Sequence, residues 1–304
     1  MRDKAYLVGF LLAAGLLLYL GRHLIQGSVL IAWGLTFGGT ATVAVLVVAL
    51  YRFRLELASS RHQLALKEAE ISFALQVQQA LFPRDFPECG LSFSAVCMPA
   101  RGISGDYYDV LVLPDGRIGI AIADISGKGV SAAILMASLQ ALLRAVSAGP
   151  AFPSEVCAKL NEHLIQITDT GKFATMFYAE WCLGTRRLRY VNAGHNPPFL
   201  ISRDAVQFLT SGGIPLGVRS GWEYETGEVV LKPGDLLVLY SDGITEAGLR
   251  DGRDYGEKRL ISLVSSLKGR PLSEIQSSIL ASVRAWGGDE LEDDMTLVLV
   301  RAGA

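Results

Sequence analysis

Two uncharged apolar runs near the start of the chain constrain its fold more than any other feature. Residues 5–21 (AYLVGFLLAAGLLLYLG) and 28–51 (SVLIAWGLTFGGTATVAVLVVALY) compare well with the ~20 apolar residues an α-helix needs to cross a ~30 Å hydrocarbon core, the first near the lower limit. The only charged side chains among the first fifty residues are Arg2, Asp3, Lys4 and Arg22. Of the 28 basic and 30 acidic groups in the 304 residues, 25 and 29 therefore lie beyond position 50. A hydrophobic module precedes a soluble one, and the soluble part is long enough for one large domain. Its charge balance is close to neutral, without the basic face or stripe of a nucleic-acid binder.

The link GRHLIQ is short, so the two runs are expected to form a transmembrane hairpin over residues 1–51. Arg2 and Lys4 precede the first run, and Arg52, Arg54, Arg61 and Lys67 follow the second, against Arg22 in the link. The positive-inside bias then puts both ends and the whole soluble module in the cytoplasm, anchored at the cell membrane by two spans. A cleaved signal peptide is the alternative for the first run; no small-x-small site stands near Leu20 to support it. Neither run carries an embedded acid or base, which favours anchoring over transport.

Residues 52–82 lack Gly and Pro and are rich in helix formers. Leu57, Leu64 and Ile71 recur every seven residues, and Leu75 and Phe82 continue a second line. This predicts a linker helix ending before Pro83. Two readings stand side by side: a solvated connector, and a signalling helix through which two copies of the chain dimerise.

The third region, 83–304, reads as α+β. Strands are predicted at 91–98, 108–113 and 117–126, the last two joined by the turn Pro-Asp-Gly-Arg. Helices follow at 131–147 and at 154–168, with Ser154 as N-cap. Strands resume through ATMFYAEWCL, RRLRYVNAG, PPFLI, AVQFL, GEVVL and DLLVLYS, and helices at 257–267 and 272–286 precede a closing strand at 295–301. The expected architecture is sheet packed on sheet with helices outside. Cys89, Cys97, Cys157 and Cys182 form no CxxC pair and are read as buried, reduced thiols.

Chemistry concentrates in aspartates at the ends of apolar strands, each beside a glycine or a second aspartate: Gly105-Asp106, Asp124-Ile125-Ser126-Gly127, Asp242-Gly243 and Asp293-Asp294. One such residue alone is usually a turn residue or helix cap. Several carboxylates brought together without basic partners repel one another, which a divalent cation relieves. An all-oxygen donor set favours Mg²⁺ or Mn²⁺ over zinc.

These motifs, in order, resemble the metal-dependent PPM-type (protein phosphatase 2C-like) serine/threonine phosphatases, in the bacterial branch typified by SpoIIE and RsbU. The resemblance runs from about residue 80 to 301 through ALFP, SGDYYDV, ADISGKGVSAAILM, FATMFYAEWCL with LRYVNAGHNPP, GIPLGV, LYSDGITEA and DDMTLVLV. It implies an α-β-β-α sandwich holding two divalent cations, Mn²⁺ or Mg²⁺. The implied metal ligands are Asp106, Asp124, the carbonyl of Ile125, Asp242 and Asp293. Asp294 is a further ligand, at a position where relatives often have Asn, and Asp109 is read as a turn residue. Arg101 is the implied phosphate clamp, with an ordinary surface arginine as the other reading. The implied activity is hydrolysis of phosphoserine or phosphothreonine on a cytoplasmic regulatory protein, with a STAS-type partner-switch antagonist as the expected partner. A catalytically silent scaffold using the same fold is the alternative.

Two departures shape the chemistry. Eukaryotic relatives carry Asp-Gly-His-Gly where this chain has Asp124-Ile125-Ser126-Gly127, so their general-acid histidine is missing. His195, in AGHNPP, is read as ordering its loop. The segment Ser126-Gly127-Lys128-Gly129 is not a nucleotide-binding P-loop, because Ile122 and Gly129 occupy positions that the motif reserves for Gly and Ser or Thr.

Overall fold

The computed structural model describes residues 2–24, 29–100, 102–149, 152–168, 171–203, 205–288 and 291–303. It divides into two compact units, 1–70 and 71–304.

The first unit contains α1 (Arg2–Leu24) and most of α2 (Val29–Gln79). Expected as a span and a separate linker, residues 29–79 form one unbroken helix of 51 residues. No proline interrupts it; the change at position 51 is one of side-chain polarity, not of backbone. The two helices meet on small residues: a side chain at Gly21 would strike the Thr36 methyl at 2.8 Å, and one at Gly39 would touch Leu17. Among the described side chains, many apolar ones, including Leu11, Leu12, Leu16, Leu46 and Leu50, are exposed. The link residues 25–28 lie outside the described residues.

In the second unit, β1 (Leu91–Met98), β2 (Tyr107–Val112) and β3 (Ile118–Ile125) precede α3 (Val130–Ser147) and α4 (Pro153–Ile167). Then come β4 (Ala174–Cys182), β5 (Arg187–Ala193), β6 (Phe199–Ile201), β7 (Val206–Phe208), β8 (Gly212–Gly213), β9 (Gly227–Val230) and β10 (Leu236–Tyr240). The one-turn α5 (Asp242–Thr245), α6 (Glu257–Leu267), α7 (Leu272–Gly287) and β11 (Met295–Ala302) complete the fold. One sheet runs β1-β11-β10-β6-β7 and the other β2-β3-β4-β5-β8, with β9 also paired to β5.

Period-two alternation builds three cores from these two sheets. Ile120, Ile122, Phe177, Ala179 and Trp181 face Leu237, Leu239, Val298 and Val300 between the sheets. Their alternates Ala121, Ala123 and Tyr178 face Met136, Leu139 and Leu143 of α3 and Leu160 of α4. On the far side, Val238, Tyr240, Leu297 and Leu299 pack on Leu260, Val264, Ile275 and Ile279 of α6 and α7. The order of layers is helix, sheet, sheet, helix, as expected. Although α3 is apolar enough to cross a membrane, its buried stripe belongs to this core.

Two local expectations change. Ser154 does not cap α4, which starts one residue earlier with Pro153 in the first turn and the Phe152 N–H donating to Glu155. Asp109 is no turn residue: inside β2 and fully buried, it receives Arg144 Nε at 2.8 Å and the Tyr107 hydroxyl at 2.5 Å, tying β2 to α3. All four cysteines are free thiols.

Candidate active site

Antiparallel pairing sends the end of one strand to the beginning of its neighbour, and this gathers the aspartates. Tyr107 of β2 pairs with Ala123 of β3, which sets Asp106 beside Asp124. Tyr240 of β10 pairs with Leu297 of β11, which sets Asp242 near Asp293 and Asp294. The two glycines make these approaches close enough. A Cβ on Gly105 would sit 3.1 Å from the Ile125 carbonyl oxygen and 3.7 Å from Asp124 Oδ1. A Cβ on Gly243 would lie 2.1 Å from the carbonyl oxygen of Asp294.

The carboxylates sense one another. Burial, then the charge of Asp124, holds Asp106 well above the usual carboxylate range. Burial, followed by Asp242, Asp293 and Asp294, pushes Asp124 up to about 7, while Lys128 pulls it down. Asp242 is raised by burial and by Asp293, and Glu246, which the sequence reading missed, by burial and then Asp242.

Two expected ligands have other partners. Lys128 Nζ stands 2.7 Å from Asp293 Oδ2. Asp294 holds the preceding loop in place: Oδ1 accepts the Ala100 N–H at 2.8 Å, and Oδ2 accepts Ser104 Oγ and the Gly105 N–H, each at 2.8 Å. Gln78 of α2 fixes the same loop through both directions of hydrogen bonding with the Ser104 backbone. Consequently, among the described residues, no three acidic, histidine or cysteine side chains close around one point as a ready cage. Arg101 lies outside the described residues.

The donor chemistry nevertheless fits a hard cation. Asp106 Oδ2 is buried and accepts no hydrogen bond of normal geometry, and the nearby Thr296 and Ser241 hydroxyls offset its burial only in part. A buried carboxylate oxygen left without a donor is costly, and Asp124, Thr296 and Ser241 beside it offer further oxygens.

His195 stands apart from this chemistry. Asn192 Oδ1 accepts its backbone N–H at 2.8 Å, and its Nδ1 lies 2.9 Å from Thr175 Oγ1. Full burial pushes the imidazole down to about 4, so it is neutral at working pH. Between pH 6.5 and about 4 the unfolded chain binds this proton and the folded chain does not, so stability falls as pH falls through that window. Thermal melts are expected to show up to about 3 kcal/mol of this loss, and His195→Gln should flatten it.

The "Stage II sporulation protein E (SpoIIE)" family profile matches residues 114–303. The chain belongs to the SpoIIE family. It is 34% identical over 238 residues to the phosphoserine phosphatase RsbU of Bacillus subtilis, covering 77% of this chain and 70% of RsbU. Among solved structures, the RsbU and RsbW domains of Rv1364c from Mycobacterium tuberculosis align with a TM-score of 0.62 and 27% identity, over 70% of this chain and 60% of that one. The SiaA-PP2C domain of Pseudomonas aeruginosa aligns with a TM-score of 0.68 and 20% identity, over 78% and 98%. Membership makes this SpoIIE-family chain a protein serine/threonine phosphatase of the metal-dependent PP2C type.

Proposed function

We propose that the chain is a membrane-anchored phosphatase that removes phosphate from serine or threonine on a cytoplasmic partner-switching regulator, of the STAS antagonist type. The carrying observation is that Asp106, Asp124, Asp242 and Asp293 stand at the ends of four strands, where burial and then Asp242, Asp293 and Asp294 push Asp124 up to about 7. Asp106, Asp124, the Ile125 carbonyl, Asp242 and Asp293 would hold two divalent cations, Mn²⁺ or Mg²⁺, with Asp294 ordering the Ala100–Gly105 loop beside them. When bound, such ions supply a water of lowered pKa and neutralise charge developing on the phosphoryl group. The chain's own groups support direct attack by water. Burial pushes the Cys97 thiol up to about 12 and raises Cys157 further, so neither is a thiolate nucleophile. His195, buried and neutral, donates no proton to a leaving group. Gly127 and Gly129, with φ of 107° and 75°, carry the rim of the site on a turn that only glycine adopts readily.

The anchoring rests on the exposed apolar surfaces of α1 and of α2 up to residue 51. The proposed domains are a hairpin at 1–51, a linker at 52–82 that serves as a dimer contact, and a phosphatase domain at 83–304. The test uses the full chain in detergent with a serine-phosphorylated STAS protein. Phosphate release that requires Mn²⁺ or Mg²⁺ is expected; a metal-bound but inactive protein would favour the silent scaffold.

A further inference from the structure

Lys128 occupies a place that the hydrolytic chemistry does not explain. Its ammonium lies 2.7 Å from Asp293 Oδ2, and its charge also lowers Asp124 and Asp242. One lysine thus neutralises part of the same acidic rim that the cations would occupy. The base of its loop is pinned: Ser126 donates its backbone N–H to the Phe173 carbonyl at 2.9 Å and accepts the Phe173 N–H on Oγ at 2.8 Å. The tip is not. Lys128 sits between two glycines of positive φ, and its side chain is about half exposed.

We infer that Lys128 is a tethered counter-ion that holds Asp293 until a cation displaces it, and so sets how much metal the enzyme needs. The inference rests on the metal reading of the site and concerns a residue that reading leaves idle. Asp293 Oδ2 cannot serve an ammonium at hydrogen-bond distance and a divalent ion together without strong repulsion between the two positive charges. The structure provides somewhere for the lysine to go. Lys128 and Asp293 line a cavity of about 270 Å³ whose other walls include Glu246, Arg250 and Glu292. Glu246 and Glu292 on those walls offer the displaced ammonium other carboxylates. Lys128 is a positioning residue in this scheme, acting through Asp293.

Calorimetric titration of MnCl₂ into the full chain in detergent tests this without reference to turnover. Lys128→Met removes the competing charge and is expected to tighten Mn²⁺ binding roughly tenfold or more, with Lys128→Gln behaving alike. Lys128→Arg keeps the charge and should retain affinity close to wild type. A lysine that merely supported the loop would show the opposite sign, because its loss would loosen the site and weaken binding. Unchanged or weaker Mn²⁺ binding in both neutral variants, beside normal binding by the wild type, overturns the inference and leaves the phosphatase reading standing. A wild-type chain that takes up no Mn²⁺ overturns both.

Discussion

Replacing Asp124 with asparagine is expected to cut metal-dependent phosphate release by ~10³-fold or more, and to stabilise the same protein when metal is withheld. Both effects come from one charge. Asp124 faces Asp242, Asp293 and Asp294 from the end of β3, and burial together with those neighbours pushes it up to about 7. At neutral pH and above, the folded metal-free chain therefore holds a carboxylate that would rather be protonated. Asparagine keeps the shape and removes the repulsion. Because the folded-state pKa is raised, the wild type loses stability as pH rises from about 4 through 7. The gain from Asp124→Asn should follow the same course, absent below about pH 4 and reaching about 2 kcal/mol near pH 8. Thermal melts in EDTA measure the stability arm, and phosphate release with Mn²⁺ measures the activity arm. Unchanged turnover would remove Asp124 from the chemistry. Lost turnover with a strongly lowered melting point would mean that the substitution damaged the fold instead of the site. Such opposed effects are the usual relation between a working site and stability.

Much of this arrangement is legible in the residues because it follows from local rules. Strand β1 and helix α6 match the ranges expected from alternation and helical period, and α3 and α7 differ by one residue at one end. The departures are tertiary in origin. The helical pattern of the linker runs to Phe82, but the helix stops at Gln79, and Phe82 stacks on Tyr108 with ring centroids 4.9 Å apart. Asp109 reads as a turn residue beside two tyrosines; its place as a buried tie between β2 and α3 depends on Arg144, thirty-five positions away. At the site, the aspartates announce themselves by ending apolar strands. Lys128 and Asp294 do not, because their roles depend on which neighbour each reaches. In sequence, a lysine between two glycines suggests only a phosphate-loop pattern, and Asp294 only another carboxylate. What Asp294 binds, the Ala100 and Gly105 N–H groups and the Ser104 hydroxyl, lies nearly two hundred residues earlier in the chain.

Among the glycines beside the aspartates the sharpest structural demand falls on Gly243, and Gly243→Ala is expected to be as damaging to turnover as many changes to a ligand. Asp242 opens α5 after β10, and the turn carrying it must pass the chain entering β11. Gly243 is buried there, and a methyl group added to it would lie 2.1 Å from the Asp294 carbonyl oxygen, 2.9 Å from the Asp294 carbonyl carbon and 3.2 Å from the Asp293 carbonyl oxygen. All three are backbone atoms, which no rotamer change can clear. Those backbone atoms are also held: the Asp294 carbonyl accepts Ser241 Oγ at 3.2 Å, and the Asp294 N–H is bound by its neighbour's Oδ1 at 2.9 Å. Relief therefore requires the Asp242 turn and the Asp293-Asp294 segment to separate, moving one pair of aspartates relative to the other. An overpacked contact of this kind costs about 3 kcal/mol, and a displacement of about 1 Å at a reacting centre costs ~10²-fold in rate. Gly234→Ala is the useful contrast. It alters another loop glycine, one with φ of 85° and open space where the methyl would sit, so backbone strain costs stability there without touching the aspartates. If both variants lose similar stability but Gly243→Ala alone loses turnover and Mn²⁺ affinity, close backbone approach is what assembles the site. Full activity in Gly243→Ala would show that the aspartates tolerate separation and that their spacing is not what the fold protects.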